Sequence, residues 1–128
     1  MMSRRHAWIV VACAWAFSAA GAGAQSGSDA ETWATQLAYD HSLRCFYANL
    51  YVAGLSQERG DSAKAATFEA SAQRSFNMAH KAGQRLGFSS ARMDGDFDTA
   101  EARELPKLVH DREYFARTAA DCKQLGLM

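Results

Sequence analysis

The sequence predicts an all-α protein, an up-down-up three-helix bundle. Three observations lead there. Apolar and small residues recur three and four positions apart over long stretches. Residues that start and stop helices stand at the ends of those stretches. No segment alternates apolar and polar residues at the period of two expected of a half-buried strand.

The first helix is predicted over residues 29–57. Ser28-Asp29-Ala30-Glu31 reads as a capping box, in which Ser28 accepts from the Glu31 amide and Glu31 reaches back. Only Gly54 weakens the next stretch, so this helix is roughly 40 Å long. Gly60 suits the left-handed position after a helix, and Asp61 is a good N-cap for the next. The second helix is predicted over residues 62–86, with Gly87 as its stop. Ala65, Phe68, Ala72, Phe76, Ala79 and Leu86 mark its inward stripe.

Residues 88–97 (FSSARMDGDF) are expected to form the one long connection. Asp98-Thr99-Ala100-Glu101 is a second capping box, opening a third helix over residues 98–125 with Gly126 just past it. Pro106 lacks an N–H and should kink that helix, or split off a short first turn. Leu108, Phe115, Ala119 and Cys122 mark the inward face beyond it. In this topology the first and third helices run parallel, and the second runs antiparallel to both.

The N-terminus carries the three parts of a secretory signal. Arg4 and Arg5 are the charged region, residues 7–20 (AWIVVACAWAFSAA) the apolar run, and Ala22-Gly23-Ala24 the small-x-small site. Residues 1–24 are therefore expected to be a signal peptide, cleaved before Gln25, and residues 25–128 a single helical domain of the periplasm or extracellular space. Val10-Val11-Ala12-Cys13 matches a lipobox only loosely, because the apolar run continues past Cys13. Counted on to Ala24, the stretch from Ala7 reaches only about 18 residues, the lower limit for a membrane span. The domain is expected to make no stable membrane insertion once the signal is removed.

The whole chain balances 14 basic against 14 acidic residues, and loss of Arg4 and Arg5 leaves 12 against 14. Interspersed charges of that balance form no basic stripe for nucleic acid. Cys13 leaves with the signal, and Cys45 and Cys122 remain as an even pair in an oxidising compartment. A Cys45–Cys122 bridge would close a loop of about 78 residues, worth on the order of 4 kcal/mol.

On a helical wheel the first helix has two apolar faces. Tyr39, Leu43, Phe46, Tyr47, Leu50 and Gly54 form a large aromatic one, expected against the second helix. Ala34, Ala38, Cys45, Ala48 and Val52 form a small one, expected against the third. Between them runs a strip with Trp33, Leu37, Asp40, Arg44 and Tyr51. Trp, Tyr and Arg dominate binding hot spots, so this strip is the candidate surface for a protein partner or a homodimer. Ala substitution of Arg44 or Tyr51 should then weaken a partner and leave stability nearly intact.

Other chemistry is thinly represented. Asp94, Asp96 and Asp98 resemble the first half of a calcium loop, but Thr99 and Leu105 stand where glycine and a bidentate acid belong. His41, His80 and His110 have no histidine four positions away to share a helical zinc site. Glu104, Asp111 and Glu113 belong to no motif, and no nucleophile elbow or Cys-x-x-Cys occurs. No metal ligand, cofactor site or catalytic residue is assigned. The reading is an exported, non-catalytic interaction module, an inhibitor, immunity-type or adaptor protein. Its alternative is a periplasmic carrier of a small ligand or metal, using the aromatic interior or the Asp94–Asp98 segment.

Overall fold

A computed structural model of the protein describes residues 19–128, with side chains from Ser28 onward. Four helices follow one another: α1 (Ala19–Glu58), α2 (Ser62–Arg85), α3 (Ser90–His110) and α4 (Arg112–Gln124). There is no strand among the described residues. The all-α expectation holds, and the count of three does not. The expected signal peptide lies largely outside the described residues, and its cleavage point, between Ala24 and Gln25, falls within α1. No helix among the described residues is long and apolar enough to cross a membrane.

Ser28 does not start α1, which begins at Ala19. Residues 19–27 are alanine-rich and free of proline, so the hydrogen-bond ladder propagates through the capping-box sequence instead of stopping at it. At 40 residues α1 is about 60 Å long, against about 36 Å for the 24 residues of α2. Its N-terminal end therefore extends beyond the hairpin partner.

The α1–α2 turn is as the sequence implies. Gly60 has φ +76°, and the Asp61 side chain accepts from the Lys64 amide at 3.0 Å. Gly87 and Gly126 also adopt positive φ, at 77° and 71°, and close α2 and α4. At Gly87 the Phe88 amide donates to the Gly83 carbonyl at 2.9 Å, the longer bond of a Schellman turn.

The expected loop over residues 88–97 is instead the start of α3. Ser89 caps it, accepting from the Arg92 amide at 3.1 Å. Burial drives the rest, because Met93, Phe97, Ala100, Glu104 and Leu108 form one buried stripe at spacings of three and four. Asp98 is consequently inside the helix and caps nothing.

Pro106 lies within α3 and does not split it. It and Ala102, whose carbonyl it leaves unbonded, are both exposed, so water can take that carbonyl. The chain breaks at Asp111, which is extended at φ −119° and ψ 100°. The Asp111 amide donates to Lys107 at 2.9 Å to end α3, and its carboxylate accepts from Tyr114 to start α4. This break overturns the expected parallel arrangement. Phe115 meets Tyr51 and Cys122 meets Cys45, so α4 runs antiparallel to α1.

The Cys45–Cys122 disulfide is present, joining α1 to α4 with its Cα atoms 5.6 Å apart. The main core gathers Tyr39, Leu43 and Tyr47 of α1, Ala79 and Ala82 of α2, and Met93 and Phe97 of α3. The aromatic face of α1 thus packs on two helices, not on α2 alone. Phe46, Phe76 and Phe97 form a three-ring cluster, with the Phe46 centroid 5.9 Å from Phe76 and 5.2 Å from Phe97. Leu50 and Gly54, assigned to that face, are exposed. The small face receives α4 and the turn after it, where Asn49 Nδ2 donates to the Leu127 carbonyl at 2.6 Å.

Candidate functional site

Two features of the fold concentrate chemistry. The first is built on Glu104, which is 1% exposed on the buried stripe of α3. Arg103 Nε donates to Glu104 Oε1 at 2.8 Å, and the Tyr114 hydroxyl of α4 donates to Oε2. Arg44 Nε of α1 stands 3.7 Å from Oε1, an ion pair too long for a hydrogen bond. Burial by itself would raise the Glu104 pKa. The Tyr114 and Arg103 hydrogen bonds and the two guanidinium charges outweigh it and hold the carboxyl below its ordinary range. Tyr114 is displaced upward, by burial and then by the same hydrogen bond. The cluster ties three helices with a carboxylate kept ionised.

The second feature is a groove beside the N-terminal half of α1. Trp33, Leu37, Ala38 and His41 of α1 line it with Met78 of α2 and Leu125 and Leu127 of the C-terminal turn, around about 370 Å³. It continues past Met78 into a wider trough of about 690 Å³ along the α1–α2 seam. Ala82 and Leu127 are buried at its base, while Trp33, Met78 and Leu125 are 65%, 43% and 50% exposed. The α2 side of the trough carries Arg74, Lys81 and Arg85, and the α1 side carries Glu31. Among the described residues, none of those three cations lies within ion-pair distance of a carboxylate.

The strip proposed on α1 is divided between these two features. Trp33 and Leu37 line the groove. Asp40 is exposed, and its Oδ1 accepts from Gln36 Nε2 at 3.1 Å. Arg44 turns inward to Glu104, and Tyr51 is half-buried edge-on against Phe115 at 5.7 Å. Tyr51 is partly covered because α4 folds back along the C-terminal half of α1, and Arg44 because α3 presents Glu104 to it. Ala substitution there should cost stability, contrary to the expectation from sequence.

The aspartate segment is helical, which puts Asp94 and Asp98 on one side and turns Asp96 away from them. Asp94 and Asp98 are exposed, and Asp96 accepts from the Tyr39 hydroxyl at 2.9 Å. The calcium-loop reading therefore fails. No group of three or more metal-ligating side chains occurs among the described residues. His80 packs against Phe76, with ring centroids 4.2 Å apart.

Sequence reasoning missed Met78, Leu125 and the Arg74–Lys81–Arg85 series. The spacing of that series, with Met78 inside it, puts all four along one side of α2. That signal was present but stood outside the inward stripe. No family model matches the chain, and no curated protein or solved structure matches it significantly.

Proposed function

We propose that this protein is an exported, non-catalytic interaction module of the inhibitor, immunity-type or adaptor kind, and that it takes its partner in the Trp33–Met78–Leu125 groove. One observation carries the reading. Five large hydrophobic residues are exposed among the described residues, and three of them, from three separate elements, meet in this one groove. Scattered apolar residues need no explanation, but a contiguous set with an aromatic anchor marks an interaction site. The disulfide supports the rest of the proposal. It suits an oxidising compartment, and it holds α4 and the C-terminal turn against α1 so that the groove is preformed.

The test places a photoreactive residue at Met78 in cells, and at the exposed Val109 as a control. The expected result is a specific adduct from position 78 alone. The purified partner should then bind the wild-type protein and lose at least tenfold in affinity against Trp33→Ala. Equal labelling from both positions, or unchanged affinity of Trp33→Ala, would overturn the reading.

A second reading rests on the size of the groove. A volume of about 370 Å³ lies in the range of small-ligand sites. A carrier of an apolar small molecule would show a rise in unfolding temperature with that ligand, abolished by Leu37→Asp.

A further inference from the structure

We infer that the occupant of this groove is an acidic amphipathic helix of a partner protein. The inference rests on the interaction-module reading and adds the chemistry of the partner. Shape is the first ground. The apolar residues line a trough between two helices, with small Ala38 and Ala82 among them and Met78 at its exposed edge, and it opens past Met78 into the groove that Trp33 lines. A trough of that form takes the apolar face of a rod, the helix-in-groove mode, with anchors three, four and seven residues apart. A planar lipid surface would reach the exposed edges and leave the alanines uncovered.

Charge is the second ground. Arg74, Lys81 and Arg85 follow one edge of the trough over three turns of α2, unpaired with any carboxylate among the described residues. Glu31 is the single acid on the lining. Carboxylates on one flank of the bound helix would meet this row while its apolar face fills the trough. Complementarity of this kind selects partners and sets the salt dependence of association.

A second copy of this chain does not satisfy both requirements. Its own exposed acidic row, Asp94, Asp98 and Glu101 on α3, is interspersed with Ala91, Gly95 and Ala102. Such a row could answer the cations but would leave the apolar lining unfilled.

The test uses the disulfide-bonded protein as the cell makes it. Two 18-residue fluorescein-labelled peptides carry the same leucine and phenylalanine face, flanked by glutamate in one and by lysine in the other. Anisotropy titrations at 20 and 150 mM salt measure both. The acidic peptide is expected to bind about tenfold more tightly, from three exposed ion pairs. The preference should shrink with salt and vanish in the Arg74→Gln/Lys81→Gln/Arg85→Gln variant. Trp33→Ala should weaken both peptides. All of these side chains are exposed or half-exposed, and circular dichroism melts verify that the variants fold.

Equal binding of the two peptides, still sensitive to Trp33→Ala, would refute the acidic occupant and leave the interaction groove standing. Binding of neither, or binding indifferent to Trp33→Ala, would remove both. Capture of phosphatidylglycerol vesicles with no peptide binding would make the surface a membrane contact. A doubled mass in light scattering, lost in Trp33→Ala, would make it a self-association face. Either result overturns the inference.

Discussion

Replacing Glu104 by Gln keeps the shape of the side chain and removes its charge. Tyr114 can still donate to the amide oxygen, but the charge-assisted part of that bond is lost, together with the attraction of Arg103 and Arg44. Hydrogen bonds to a charged group are each worth about 1.5–3 kcal/mol, and breaking a fully buried pair costs about 3–5 kcal/mol. Arg103 and Arg44 are 49% and 33% exposed, so water recovers part of their loss. The expected destabilisation at pH 7 is therefore about 2–3 kcal/mol, a fall of roughly 10–20 °C in Tm for a domain of this size.

The pH dependence makes this prediction specific. The Glu104 carboxyl titrates below its ordinary 4.5 in the folded protein, so between the two values the unfolded chain binds more protons. Its contribution is complete above pH 4.5 and is lost as pH falls through the folded pKa. Urea unfolding of wild type and Glu104→Gln should show the full gap at pH 7 and one that shrinks progressively as pH is lowered below 4.5. A gap under about 0.5 kcal/mol at pH 7, or one that does not change with pH, would refute the reasoning.

Other parts of the molecule offer independent checks. Cys45→Ala with Cys122→Ala should cost on the order of 4 kcal/mol, because the bridge spans 77 positions, and a loss under 1 kcal/mol in urea unfolding would contradict that. Gly83→Ala should destabilise by about 1–2 kcal/mol despite better helix propensity, because its Cβ would run into Met93 Sδ and stand 3.1 Å from the Tyr39 ring. Gly95→Ala, in open space, should instead stabilise by up to about 1 kcal/mol, and paired thermal melts separate the two outcomes. Burial, with help from Glu101 and Asp98, pushes the Tyr47 hydroxyl up to about 12 from 10.0, and Tyr39 is raised further by burial and by Asp96. The folded state holds those protons more tightly, so stability should be intact below pH 10 and decline from there through pH 12, with a shallower decline in Tyr47→Phe.

Local signals were legible where they met no competition. Gly60, Gly87 and Gly126 mark helix ends because each requires positive φ, which glycine adopts freely. Asp61 caps α2 because a short acceptor precedes an unbroken apolar stripe. The same kind of signal misled at Ser28 and Asp98, where a cap sequence lies inside a helix that has somewhere further to go. In residues 88–97 the Asp-Gly-Asp run outweighed the spacing of Met93, Phe97 and Ala100, yet burial of that spacing prevails over weak propensities. Pro106 drew attention away from Asp111, although only Asp111 provides both an end and a beginning.

The sequence by itself determined the helical class and the places where glycine ends helices, because these depend on neighbours along the chain; it made Cys45 and Cys122 candidates for a bridge, and the structure brings their Cα atoms to 5.6 Å. Tertiary structure alone decided that α4 reverses against α1, and this reversal set the fate of the candidate surface. It set Phe115 edge-on against Tyr51 and brought Leu125 to the groove beside Trp33, while Glu104 of α3 drew Arg44 into an ion pair. Residues 33, 78 and 125 lie on three elements far apart in the chain. Their meeting depends on which helix faces cover one another, and that is a property of packing, which no local pattern encodes.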